Sequence, residues 1–103
     1  MLVVCTFPEA EVARQVGTVL VERQLAACVS LVPGIESVYR WQGAVETAAE
    51  VLALIKTTRA VYPVLEAALL ELHPYAVPEV LALPVTAGST KYLAWLAGAV
   101  AAG

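Results

Sequence analysis

Three side chains in this 103-residue sequence could bind a soft metal ion or act as nucleophiles: Cys5, Cys28 and His73, the last being the only histidine. A thiolate and an imidazole together suit copper or zinc. Cys5 and His73 are therefore the candidate metal ligands. Two ligands from one chain predict a weak site, which Glu79, water or a neighbouring subunit would have to complete.

Each of these residues also has a structural interpretation. Cys5 lies in the apolar run LVVCTF, where a small buried hydrophobe is expected. His73 precedes Pro74, so it would end a helix and interact with the last helical carbonyls. Cys28 is predicted to be an inert core thiol with no nearby cation to lower its pKa. Two cysteines without CxxC spacing indicate free thiols, which predicts the cytoplasm.

Catalysis has little support in this composition. The chain contains no Asp and no Asn, and all nine acidic residues are Glu. This excludes Asp-based catalytic pairs, calcium loops of the EF-hand kind and Walker-type magnesium sites. One histidine and scattered Ser and Thr residues leave no paired nucleophile and base. We therefore predict that the protein is not an enzyme.

Charge and hydropathy exclude two classes of partner. The net charge is -3 with only six Lys plus Arg, which argues against a nucleic acid. The chain is 60% hydrophobic, but its longest charge-free stretches, residues 24–35 and 92–103, are 12 residues each, well below the roughly 20 of a membrane span. The N-terminus does not resemble a signal peptide. We therefore expect no membrane partner and burial of the apolar excess by self-association.

The elements that would position the candidate residues follow from apolar periodicity. A β-rich run at residues 2–7 leads into Thr6-Phe7-Pro8-Glu9, whose capping-box spacing predicts the start of a helix over residues 9–24. β-branched and aromatic residues on both sides of Gln42-Gly43 predict a long hairpin. Pro33-Gly34 would mark a bulge in its first strand.

The second half of the chain repeats the pattern. A second helix is expected over residues 60–72, ending before Pro74, and a fourth strand over residues 79–85. Ser89 or Thr90 is expected to cap a C-terminal helix. We predict a single domain over residues 1–103.

The order β-α-β-β-α-β plus a C-terminal helix predicts an α+β, ferredoxin-like fold with an antiparallel sheet and an extended hairpin between strands two and three. Right-handed crossovers place strands one and three at the centre, with four beside one and two beside three. Strand order then brings Cys5 near His73. One helical layer covers only one sheet face, although strands three and four are apolar on both. Other subunits are expected to cover the second face.

Four motifs occur in order along the chain: LAACVSLVPGIESVYRW, EVLALIKTT, HPYAVPEVLALPV and GSTKYLAWL. Together they resemble the CutA divalent-cation tolerance proteins. The resemblance implies a homotrimer whose long hairpins wrap neighbouring subunits, and a role in tolerance of, and response to, copper and other divalent metals. It also implies metal ligands at Cys5 and His73, although Leu72 stands where some members have a second histidine. No cofactor is required on this interpretation, and copper or another divalent cation would be bound weakly.

A second hypothesis is a trimeric signalling module that resembles the PII proteins and binds a small molecule between subunits. The aromatic residues Tyr39, Trp41, Tyr75 and Trp95 would line such a cleft, or else pack an interface. Glu50 and Lys56 flank the third strand, and they would pair with each other or supply polar contacts to the cleft.

Overall fold

The computed structural model describes residues 1–101. Its elements are β1 (Leu2–Phe7), α1 (Ala10–Glu22), β2 (Cys28–Trp41), β3 (Ala44–Lys56), α2 (Tyr62–Leu72), β4 (Val80–Leu83) and α3 (Thr90–Ala99). The strands form an antiparallel sheet in the order β2-β3-β1-β4. The predicted α+β fold and strand order are confirmed. The single domain over 1–103 stays a prediction, and its last two residues lie outside the described residues.

The predicted capping box at the start of α1 is wrong. Thr6 and Phe7 remain in β1, where they pair with Leu52 and Val51 of β3, so Thr6 cannot cap a helix. The N-cap residue is Glu9, whose side chain makes no capping hydrogen bond. Pairing with the central strand β3 therefore overrides the local sequence signal, and the helix begins at Ala10.

The hairpin of β2 and β3 has the two irregularities that its sequence predicts. The register shifts between Val32 and Ile35, which places a bulge at Pro33-Gly34. At the tip, Gln42 and Gly43 have φ values of 49° and 81°, the left-handed geometry of a tight hairpin turn. Only residues 51–56 of β3 also pair with β1, so the outer half of the hairpin, residues 36–49, projects from the sheet.

The helical layer packs on one face of the sheet. Alternate strand residues face it, and Val3, Cys5, Phe7, Ala53 and Ile55 are at most 1% exposed. Gly17 lets α1 approach closely, because a Cβ atom there would lie 3.2 Å from Val29 Cγ1. The buried residues Leu65, Ala68 and Leu69 give α2 its apolar side, and α2 lies against α1.

The opposite face of the sheet, named the open face, is apolar apart from Thr6, Cys28, Ser30 and Lys56. Strand alternation and register assign to it Leu2, Val4, Val32, Leu52, Leu54, Leu81 and Leu83. Leu81 is 58% exposed and Leu83 is 45% exposed in the single chain. The two-sided apolar character of β3 and β4 is thus present, and only one of their faces is covered by α1 and α2.

The C-terminal helix α3 begins at a conventional cap. Ser89 is its N-cap residue, and its hydroxyl accepts a hydrogen bond from the backbone N–H of Tyr92 at 3.4 Å. Of the two candidate caps, Ser89 is therefore the one used. Within residues 1–101, none of the helices is both long and apolar enough to cross a membrane.

Candidate functional site

His73 joins the end of α2 to β1. It is the C-cap residue of α2 and only 7% exposed. Its Nδ1 accepts a hydrogen bond from the backbone N–H of Tyr75 at 3.1 Å, which leaves Nε2 to donate to the carbonyl oxygen of Thr6 at 2.7 Å. The ring stacks on Phe7 with a centroid separation of 4.5 Å. Both ring nitrogens of the neutral imidazole are therefore engaged.

The structure brings Cys5 and His73 together, as strand order predicts. Cys5 is fully buried, and its Sγ contacts the Thr6 carbonyl oxygen at 3.8 Å, the same oxygen that His73 contacts. Burial, and next the charge of Glu79, raise the pKa of the Cys5 thiol to about 12. The side chain is thus a protonated thiol at neutral pH, and metal ligation requires a thiolate.

Metal ligation by Cys5 and His73 stays a prediction. In this conformation a metal ion would have to replace a hydrogen bond of the His73 ring and a proton of Cys5. Among residues 1–101, no group of three or more His, Cys, Asp or Glu side chains is arranged to hold a metal ion. Leu72, where a second histidine would stand, packs against the hydrophobic core.

The environment of His73 predicts a pH-dependent stability. Burial lowers the pKa of His73 below its ordinary 6.5, and this outweighs the opposing hydrogen bond to Thr6. Because the unfolded chain then binds a proton more readily, stability is full above pH 6.5 and falls as the pH drops below it. Urea unfolding of the metal-free protein at pH 7.5 and 5.5 should show a larger loss of stability at the lower pH in the wild type than in His73→Gln. Equal losses in both proteins would contradict this assignment.

A cleft of about 820 Å³ lies beside this junction, between the projecting hairpin and the segment that follows α2. The hairpin contributes one wall, in which Tyr39 and Trp41 are about two-fifths exposed. Residues 74–79 form the other wall, and Thr6 from β1 also lines the cleft. The volume is within the usual range for small-molecule sites, roughly 300–1,000 Å³.

Glu50 is the most buried acidic side chain of this cleft. It is 9% exposed, and its Oε2 accepts a hydrogen bond from the Tyr75 hydroxyl at 2.8 Å. Burial, and next this bond, raise the pKa of Tyr75, so the phenol remains a proton donor. The suggested pair of Glu50 and Lys56 is wrong, since five strand residues lie between them and each has other partners. Trp95 does not line the cleft and packs against Tyr92 on α3.

Cys28 has a neighbour that the sequence did not suggest. Lys56 pairs with it across β2 and β3, and the Lys56 ammonium donates to Cys28 Sγ at 3.7 Å and to Ser30 Oγ at 2.5 Å. The expectation that no cation lies near Cys28 is therefore wrong. The error arises because 28 residues separate this pair in sequence, and only strand register brings the two side chains to the same sheet face.

The part played by Thr6 was missed in the sequence. Its carbonyl contacts both candidate metal ligands, and the residue also lines the cleft. No sequence signal identifies a backbone carbonyl as a shared acceptor. The capping-box pattern instead predicted that Thr6 caps a helix.

Known proteins that are similar to this chain in sequence carry the name CutA. The family described as CutA1 divalent ion tolerance protein matches residues 1–99. A divalent-cation tolerance protein CutA from Thermus thermophilus is 50% identical over 95 residues, which are 92% of each chain. The chloroplastic protein CutA of Arabidopsis thaliana is 46% identical over 93% of this chain, which spans about half, 53%, of that longer relative.

Solved structures that superimpose on this chain carry the same family name. A divalent cation tolerance protein (Cut A1) from Thermus thermophilus superimposes with a TM-score of 0.94 at 48% identity, covering 97% of both chains. CutA1 from Oryza sativa gives a TM-score of 0.96 at 42% identity, covering 99% of this chain and 94% of that one. From the sequence match, the identities and the shared fold, the chain belongs to the CutA1 divalent ion tolerance protein family.

Proposed function

We propose that this protein acts in tolerance of, and response to, divalent metal ions, copper among them, as a cytoplasmic homotrimer that catalyses no reaction. The observation that carries the proposal is the family match across residues 1–99. Relatives at 42% and 50% identity are named for divalent-cation tolerance, which supports the general role. Copper, the trimer and the cytoplasm are the more specific parts of the proposal.

The open face supports self-association. Its apolar side chains on the central strands β1 and β3 are flanked by the exposed Leu81 and Leu83 of β4. Contiguous apolar surface of this kind is expected to be covered by a protein partner. A copy of the same chain is the partner that accounts for it without a second protein, and closed symmetric assemblies are the usual form of such association.

Weak copper binding would use Cys5 and His73 as ligands. Both side chains contact the Thr6 carbonyl oxygen, and this shared neighbour supports their pairing as ligands. The two adjustments needed, loss of the thiol proton and release of one His73 hydrogen bond, both reduce affinity. Binding is therefore expected to be weak and to strengthen as the pH rises.

Copper titration of tag-free protein tests these ligands. Cys5→Ser and His73→Gln should each weaken copper binding at least about tenfold. Cys28→Ser is the matched control, since it removes the other thiol and should leave the affinity unchanged. Circular dichroism of each variant establishes that it remains folded. The same affinity in all four proteins would exclude Cys5 and His73 as ligands.

A second candidate function is a signalling module similar to the PII proteins that binds a small molecule. The cleft of about 820 Å³ beside Glu50 and Tyr75 favours it, because neither the fold nor the metal hypothesis requires a cavity there. Saturable binding of a small molecule that Cys5→Ser does not change would support this function independently of the metal site.

A further inference from the structure

We propose that the cleft binds an organic cation, a small molecule with an ammonium or guanidinium group attached to an apolar body, with Glu50 as its anionic anchor. The proposal rests on the second candidate function, small-molecule binding, and adds the chemical class of the ligand. Three features of the cleft support it: its charge, the position of Glu50 and its aromatic wall.

The charge of the lining has one sign. Glu46, Glu50 and Glu79 line the cleft, and among the described residues that form its walls none is Lys or Arg. The nearest hairpin cation in sequence, Arg40, is not one of the lining residues. A cleft whose only charged lining groups are carboxylates concentrates field lines of one sign and attracts cations.

Glu50 is the acid best placed to anchor a ligand. The residue is nine-tenths buried, and the Tyr75 hydroxyl holds Oε2 at 2.8 Å. The other oxygen, Oε1, accepts no hydrogen bond from any residue of the described chain, yet it is not sealed from solvent. A positioned carboxylate with one free oxygen at the cleft surface is a suitable acceptor for a charged N–H donor.

The hairpin wall supplies aromatic surface for the rest of the ligand. Tyr39 and Trp41 occupy alternate positions on β2, so both side chains project from the same side of the strand. The Tyr39 hydroxyl donates to Glu46 Oε1 at 3.5 Å, which joins this wall to a second carboxylate. Aromatic rings attract organic cations through the ring quadrupole and also bury apolar ligand surface.

A bare divalent metal ion fits this cleft less well than an organic cation. Metal binding needs several ligands within one coordination sphere, and the described residues contain no group of three acidic, thiol or imidazole side chains so arranged. The carboxylates are instead distributed over a volume of about 820 Å³. A larger ion with dispersed charge and an apolar body matches that distribution.

Benzylamine is a suitable probe, with benzyl alcohol and benzoate as its neutral and anionic counterparts. Trp41 and Trp95 are the two tryptophans of the chain, so Trp95→Phe leaves Trp41 as the reporter in the cleft wall. In that background, titration with benzylamine should quench or enhance the fluorescence of Trp41, and the change should saturate. The alcohol and benzoate should bind at least about tenfold more weakly, and added salt should weaken benzylamine binding.

Glu50→Gln tests the anchor while keeping an acceptor for Tyr75. It should weaken benzylamine binding at least about tenfold, whereas Glu71→Gln, which removes the same charge from an exposed position on α2, should change it less than about twofold. Equal binding of all three probes, or no effect of Glu50→Gln, would overturn the cation proposal but leave small-molecule binding in place. If none of the three probes binds saturably, both the cation proposal and the proposed small-molecule binding are overturned. Neither result bears on the copper titration.

Discussion

Leu81→Glu is expected to convert the proposed assembly into monomers. Leu81 lies on β4, opposite Val4 of β1 on the open face, and is 58% exposed in the single chain. If other copies cover this face, the substitution places an unpaired carboxylate in each interface. The expected penalty is about 3 kcal/mol or more per buried charge, which accumulates over a symmetric assembly. Light scattering at micromolar concentration should report the mass of one chain.

Val64→Glu is the matched control for this experiment. Val64 is 59% exposed on α2, so the two substitutions introduce the same charge at positions of nearly equal exposure in the single chain. Val64 lies in the first turn of its helix, where a carboxylate is well tolerated. The control should retain the wild-type mass. Equal masses for wild type and both variants would contradict the proposed role of the open face.

Leu69→Ala is expected to produce a large loss of stability within a single subunit. Leu69 is fully buried on α2 and belongs to the core that contains Leu20, Leu65 and Phe7. Truncation removes buried apolar surface and leaves a cavity, for which a loss of about 3–4 kcal/mol is typical. The free energy of unfolding, obtained by denaturant titration at one fixed chain concentration, measures this effect.

The neighbouring residue provides the control for this substitution. Leu70 follows Leu69 on the same helix but is 48% exposed. Leu70→Ala makes the same chemical change with a small gain in helix propensity, and it should alter stability by less than about 1 kcal/mol. Similar losses at the two positions would mean that the assigned core face of α2 is wrong.

The open face was predictable from the sequence because two constraints agree. Residues 51–55 of β3 and the strand β4 are apolar on both faces, while two helices can cover only one face of a four-stranded sheet. The order of elements, together with right-handed crossovers, then fixes which strands are neighbours. The irregularities of the hairpin were also predictable, since Pro33-Gly34 and Gln42-Gly43 have backbone preferences that act locally.

Features that depend on register or side-chain direction were not predictable. The contact between Lys56 and Cys28 joins two strands, and the bond from Tyr75 to Glu50 spans 25 residues. The capping-box spacing at Thr6 failed because strand pairing with β3 extends through that residue. In each case a tertiary contact decides the geometry, and the local sequence carries no information about it.

The arrangement of Cys5 and His73 was predictable only in part. Their proximity follows from strand order, because Cys5 pairs with Val80 at the start of β4. Their hydrogen-bonding state does not, since it depends on the Thr6 carbonyl and on the Tyr75 backbone N–H. The sequence therefore identifies two candidate ligands, and the structure identifies the adjustments that ligation would require.

The proposal that identical subunits bury the open face is tested most directly by the mass of the tag-free wild-type protein. Sedimentation equilibrium at micromolar chain concentration should give three times the 10.8 kDa of one chain, with no detectable monomer. A mass of one chain under these conditions would contradict the claim.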